Sequence, residues 1–341
     1  MGKNFLLDIH KPLVAHNPAS AYLLSVVGNT ADEYSWVMSN FVNLRFDKFL
    51  NMDDFYRVDM WYNCPFIYEN SFSRQYLRDV NTDIVKFATE AIDLGYYLYL
   101  YINTRYILIY GSTSDYDHNP LIYGYDSNKR IFYLCDFFTN TGLSFGTCSF
   151  DELSDGFAHL GDIKDNPFYR YALYRLIKKK EEFIDYSFNV LDFKAKLKDY
   201  LEATNMLSSC YYPFHTNDLE SFQMDHNPYD FAFGLDFYDA MDSALTSRIL
   251  RHRPLHLLYC HKLLMQRRLR YLKDHNLIKN YERLQHTCDK LVDSTLILRN
   301  KYLKVLVSGK RDVFEYHDYS DALKNLKEMD KAFTQELLDD I

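Results

Sequence analysis

The hydrophobic period of this chain changes twice, and those two changes leave room for few folds. Up to about Leu94 the apolar residues recur at helical spacing. Asn17 caps a helix with Pro18 in its first turn, and AYLLSVV stays apolar up to Gly28. ADEYSWVMSNFVNLRFDKFL places Tyr34, Val37, Phe41 and Leu44 at the same spacing. VNTDIVKFATEAIDL, from Val80, puts Ile84, Phe87, Ala88 and Ala91 on one face before Gly95 ends it. From Tyr96 the residues turn aromatic and branched. YYLYLYI (96–102) and RYILIY (105–110) have strand chemistry, and PLIYGYD (120–126), SNK and RIFYLCDFF (130–138) read as strand, turn, strand. ALYRLIKK and FIDYSFNV predict two further strands that close the sheet near residue 190.

Beyond that point the helical period returns. DFKAKLKDYLEATN is one helix, a basic helix is expected from about Ser247 to Asp274, and a longer one runs to the break at Gly309. A last helix opens on a Ser320 cap. The expected class is α+β. Residues 1–190 form a domain of helices packed on an antiparallel sheet, and residues 191–341 form a mostly α-helical region.

At 341 residues, 48% hydrophobic and 17% aromatic, the chain buries a full core and is long enough for two domains. Its formal charge of -8 argues against a nucleic-acid binder. The six cysteines (64, 135, 148, 210, 260 and 288) show neither CxxC nor regular spacing, which fits reduced thiols and gives no zinc pattern. MGKNFLLDIHKPLV lacks the apolar core of a signal peptide, and no run reaches the roughly 18 apolar residues of a membrane span. Met1-Gly2 is not followed by Ser or Thr at position 6, where Leu6 stands, so myristoylation is not expected. The expected location is the cytoplasm, with no membrane partner.

Chemistry concentrates between Tyr96 and Phe138. The polar loop GSTSDYDHNP leads through His118 into the hairpin, and Asp136 lies near its far end. With the turn centred between Ser127 and Asn128, residue 118 falls opposite 137, one step from Asp136. A carboxylate beside an imidazole fixes its tautomer and stabilises its protonated form, which makes a base with its orienting group. Taken singly, a His at a strand start and an Asp at a strand end are ordinary structural residues. Their joint placement after a capped N-terminal helix is what points to a site.

Charge is the second feature. Between Asp242 and Asp274 there is no acid but eight cations: Arg248, Arg251, Arg253, Lys262, Arg267, Arg268, Arg270 and Lys273. Such a stripe is either a solvated helix face or a dock for an acidic partner.

An N-terminal helix, two further helices, a His leading into GYD and an Asp on the next strand together resemble the papain-like cysteine peptidase superfamily. The closer likeness is to its C39-type branch, which includes relatives of the butirosin acyltransferase. The resemblance covers about residues 5–150, more weakly to 190. In that branch a Cys-Gly-Pro-x-Cys-like start precedes an apolar helix ending in Gly, and thirteen residues back from Gly28 is Ala15. His118 and Asp136 match the family's His and Asp, and GYD (124–126) matches the hairpin turn between them. The resemblance implies a papain-like N-terminal domain with a Cys-His-Asp triad whose nucleophile position is Ala15.

Two departures follow. The family's oxyanion glutamine, about six residues upstream, is replaced by Ile9 with His10 beside it. His10, His16, Asn17 and the helix N-terminus are the remaining candidates for positioning an oxyanion. Alanine cannot attack a carbonyl, so the chain is either a Cys→Ala form of an enzyme or a natural pseudoenzyme, and the surviving His and Asp favour the first. By resemblance the activity is acyl transfer or amide synthesis. An acyl group would pass from an acyl or peptidyl carrier protein to an amine acceptor. No cofactor of the chain's own is implied, since phosphopantetheine arrives on the carrier. Arg248, Arg251, Arg253, Lys262, Arg267, Arg268 and Arg270 are then the candidate carrier dock. The alternatives are a non-catalytic binder of a carrier or peptide, and a C39-type cysteine peptidase. Ser20, more than a turn into the helix, and Cys64, before Pro65, read as packing residues rather than substitute nucleophiles.

Overall fold

The computed structural model describes residues 3–48, 52–55, 64–138, 142–161, 173–205, 231–309 and 316–341. It is mixed α and β with antiparallel sheets. One compact unit takes Met1–Val27 and Pro65–Ile184, and the other takes Gly28–Cys64, Asp185–Tyr211 and Asn227–Ile341. The single boundary expected near residue 190 is thus replaced by an interleaved division. Among the described residues no helix is long and apolar enough to cross a membrane.

The strands of the first unit are β1 (Asn4–Leu6), β2 (Ile67–Ser73), β3 (Tyr96–Tyr99), β4 (Ile102–Asn103), β5 (Asp117–His118), β6 (Leu121–Asp126), β7 (Ile131–Asp136), β8 (Ser144–Ser149) and β9 (Leu173–Lys179). Its helices are α1 (Pro18–Val26), α2 (Arg74–Asp79), α3 (Ile84–Asp93) and α4 (Phe150–Ala158). Seven strands form one antiparallel sheet in the order β8–β7–β6–β3–β9–β2, with β1 added along β6 beyond the point where β3 stops. Leu98, Ile122 and Leu134 turn to one face and pack with Ile84, Ala88 and Leu153 of α3 and α4. Each fully buried aliphatic side chain there contributes about 1.5–3 kcal/mol. Alternation puts Tyr99 on the other face, where its ring meets Tyr22 of α1 edge-on, centroids 5.4 Å apart.

The helix and hairpin signals hold, and three details differ. GYD (124–126) lies in β6, and the turn is 127–130. Asp126 Oδ1 closes that turn by accepting from the Asn128 and Lys129 amides. Gly124 serves strand contact instead: a Cβ there would lie 2.6 Å from the Phe5 carbonyl oxygen of β1. RYILIY folds as two 3₁₀ turns, Thr104–Tyr106 and Leu108–Tyr110, because Asn103 caps the first and Gly111 ends the second in the left-handed region. FIDYSFNV forms no strand among the described residues.

In the second unit Thr30 and Glu33 make a capping box that starts the Ala31–Ser39 helix, and Glu33 also accepts from the Gly28 and Asn29 amides. The helix stops well short of Leu50, with Phe41 at φ 57. Leu44–Asp47 is then the centre of a three-stranded sheet between Phe231–Phe233 and Met52–Phe55. Among the described residues the remaining helices are Val190–Leu201, Asp236–Thr246, Arg253–Asp274, Tyr281–Ser308 and Tyr316–Asp340. The basic helix begins at Arg253 rather than near Ser247, since Arg248 takes φ 59 and Pro254 occupies the first turn. Ser320 lies inside the last helix and donates to Asp242 instead of capping.

One buried cation ties Gly28–Cys64 to the C-terminal helices, and a second joins those helices to one another. Arg268 is fully buried and donates to the Met38 and Asn40 carbonyls at 2.6 and 2.5 Å, satisfying the C-terminal end of the Ala31–Ser39 helix. Lys262, also fully buried, pairs with Asp330 at 2.5 Å, and the Tyr200 and Tyr238 hydroxyls donate to the same carboxylate at 2.7 and 3.0 Å. Removing one partner of such a pair leaves an uncompensated buried charge. Asp330→Ala is therefore expected to destabilise the chain by about 3–5 kcal/mol in urea unfolding. Lys262→Met combined with Asp330→Leu should recover part of that loss, and a double variant no better than the single one would contradict the assignment.

Candidate functional site

His118 ends β5 and Asp136 ends β7. Their register is not the one counted from the turn. β5 pairs with β4 through Ile102 and His118, and β6 carries a bulge between Ile122 and Gly124. The side chains still meet, with His118 Nε2 3.1 Å from Asp136 Oδ1.

Asp136 is fully buried and surrounded by donors. The Tyr22 hydroxyl donates to Oδ1 at 2.7 Å, the Tyr110 hydroxyl donates to Oδ2, and the Phe137 amide donates to Oδ1 at 2.6 Å. Burial pushes the carboxyl pKa up, but the bond and charge of His118 and the bonds from Tyr110 and Tyr22 outweigh it and hold it below the ordinary range. Both phenols are driven the other way, first by burial and then by the neighbouring carboxylate, so they remain protonated donors. An ionised carboxylate only accepts, so in the neutral ring the proton sits on His118 Nε2 and the lone pair on Nδ1. The ring stacks on Tyr116, centroids 5.8 Å apart, and meets Tyr110 edge-on at 6.2 Å. Its side chain is 19% exposed, which leaves the imidazole open at one side.

The start of α1 is built locally. Asn17 Oδ1 accepts from the Ser20 amide at 3.0 Å, and Pro18 fills the first turn. Ser20 Oγ shares a hydrogen bond of 2.9 Å with His16 Nδ1. That Ser–His pair is not a surface nucleophile, because Ser20 is fully buried and His16 nearly so. The side chains of His16 and Asn17 are thus committed to the cap region, while the His10 amide donates to the Ser25 carbonyl at 3.1 Å. Ala15 is half-buried, two residues before the cap.

Cys64, Cys135, Cys148, Cys260 and Cys288 are free and buried. Burial pushes Cys135 and Cys288 up to about 12 and raises Cys148 as well, so none of these three is a thiolate at neutral pH. Cys210 lies outside the described residues.

The candidate dock is corrected by burial. Lys262 and Arg268 are interior residues bound to Asp330 and to backbone carbonyls, and Arg253 lies 4.0 Å from the buried Asp53. Arg248, Arg251 and Arg270 are exposed and Arg267 is partly so. A groove of about 330 Å³ lined by Asn103, Tyr106, Asp115, Asp117, His159 and Gly161 lies beside β5, its acids already engaged. Asp115 takes Asn103 and Arg105, and Asp117 takes the Gly161 amide.

Sequence reasoning passed over Tyr22 and Tyr110. The signal for Tyr22 was a phenol in an otherwise apolar helix, since a buried hydroxyl needs a partner. Tyr110 was hidden in a segment with strand composition. No protein-family model matches the chain, and no curated protein matches it.

The Asp136 shift makes a pH prediction. Its folded pKa is depressed, so its contribution to stability is complete above the ordinary aspartate pKa near 4 and is lost as the pH falls toward the lower folded value. Unfolding free energies measured from pH 7 downward should decline below about pH 4, and Asp136→Asn should flatten that acid limb. An equally steep limb in the variant would show that other carboxylates carry it.

Proposed function

We propose that the first unit is a papain-like acyl-transfer domain in which position 15 is the nucleophile position, His118 the base and Asp136 its orienting group. One observation carries this reading: Tyr22 of α1 donates to the carboxylate that also holds His118. The helix that begins just after position 15 and the imidazole are therefore held on one anion. A cysteine thiol at position 15 would give its proton to His118 Nδ1 and attack a thioester carbonyl. The departing carrier thiolate would take that proton, leaving an acyl-enzyme. An amine would then attack, lose its proton to His118 and leave as the amide. The thiol would recover that proton. A carrier-borne acyl donor suits an acidic partner, for which Arg248, Arg251, Arg267 and Arg270 remain as docking residues.

Ala15 itself supports a second reading, a non-catalytic domain that binds a carrier or peptide. Ala15→Cys separates the two. The acyl-transfer reading expects the new thiol to be alkylated by iodoacetamide at pH 7 about tenfold or more faster than Cys64, because on that reading the His118 imidazole would favour the thiolate. It also expects a mass increase of one acyl group with a simple thioester, abolished by His118→Ala. Hydrolysis without transfer to an amine would favour a peptidase of the same superfamily. A thiol no more reactive than Cys64 would leave only the binding role.

A further inference from the structure

Asp136 accepts more hydrogen bonds than orienting an imidazole requires. Orientation needs one acceptor for Nε2–H, and the Phe137 amide at the end of β7 already fixes the carboxylate locally. The Tyr22 and Tyr110 phenols add a donor to each oxygen from two further segments, α1 and the Leu108–Tyr110 turn. We propose that Tyr22 and Tyr110 are positioning residues that tune His118: by donating to both oxygens of Asp136 they share its charge and weaken its hold on the imidazolium. The proposal rests on reading His118 as the base of the site.

The physical argument concerns where the negative charge resides. A carboxylate facing only an imidazole stabilises the protonated ring strongly and raises its pKa. Each further donor spreads that charge, and hydrogen bonds to an ionised group are about twice as strong as neutral ones. His118 does most to hold Asp136 below the ordinary carboxylate range, and the bonds from Tyr110 and Tyr22 that add to it draw charge away from the imidazole. Apart from the Phe137 amide, the other groups around the carboxylate do not supply this charge sharing. The carboxylate is bonded by Tyr22, Tyr110 and His118, and the titratable groups that feel its charge or that of its phenols are Cys135, Tyr99 and Cys148. Tyr116 stacks on His118. The two thiols among them are held protonated by burial, so His118 is the one basic side chain of that set.

The test reads the His118 ring by NMR pH titration in the full-length chain, as it stands with Ala15. Tyr110→Phe and Tyr22→Phe should each raise the His118 midpoint by about half a pH unit or more, while Tyr123→Phe, on the neighbouring strand, should leave it in place. A purely structural phenol would not move that midpoint. If either variant fails to fold, the unsubstituted chain supplies the measurement. Two slowly exchanging downfield hydroxyl protons should be present, should shift as His118 titrates, and should be lost in Asp136→Asn. A midpoint unmoved in folded variants, or hydroxyl protons indifferent to the His118 titration, would overturn the proposal. An unreactive Ala15→Cys thiol combined with a tyrosine-dependent midpoint would reject acyl transfer and leave the tuning intact. A reactive thiol with an unmoved midpoint would do the reverse.

Discussion

A buried carboxylate costs several kcal/mol of desolvation unless its lone pairs are answered, and Asp136 is answered from four directions. Those donors come from α1, far away in the chain, from the second 3₁₀ turn and β5, and from the end of β7 itself. Each hydrogen bond to a charged group contributes about 1.5–3 kcal/mol, so displacing any one segment loses more than a packing contact would. The carboxylate therefore acts as the common anchor of the edge of the first unit where His118 stands. The sheet and its two packed helices provide the platform. The anion decides which side chains meet at its end.

The second unit solves a similar problem with cations. Arg268 and Lys262 stand on the Arg253–Asp274 helix among residues spaced for burial: Leu258, Lys262, Met265, Leu269 and Leu272 follow the three-and-four pattern. His261, Met265 and Arg268 form a neighbouring row, with His261 Nε2 donating to the Val42 carbonyl at 2.8 Å. Each cation has a specific partner, the open Met38 and Asn40 carbonyls for Arg268 and the Asp330 carboxylate for Lys262. That is why the helix can carry so many basic residues and still lie mostly inside the fold.

Much of this was legible in the sequence, and the limits have physical causes. The Asn17 cap, the Asp83-led α3 helix ending before Gly95 and the β6–β7 hairpin are local signals, and local chemistry decided them. The proximity of His118 and Asp136 was also readable, because His118 leads directly into the strand that pairs with β7, although β5 itself pairs with β4. RYILIY was misread because Asn103 and Gly111 override its strand composition at the two ends. The surface reading of Lys262 and Arg268 failed for another reason. Charge was counted along the chain, whereas the three-and-four spacing that puts both on the buried face was equally visible in the residues. Tyr22 and Tyr110 required tertiary knowledge, since nothing local says which buried acid a phenol will find.

The chemistry of Asp136 also bears on why this acid is there at all. Replacing a buried ion pair with well-packed apolar residues is often neutral or stabilising, so stability alone gives weak grounds for keeping a carboxylate at the end of β7. What an apolar residue cannot do is hold the imidazole proton on Nε2. Without that acceptor the ring is free to place its proton on either nitrogen, and a ring that presents Nδ1–H has no lone pair on that side. The carboxylate thus selects the tautomer, Tyr116 limits the ring's freedom to turn, and the phenols share the charge that the ring faces. Each contribution acts on the same nitrogen. That convergence ties the sheet end to base chemistry under the acyl-transfer reading, whatever residue occupies position 15.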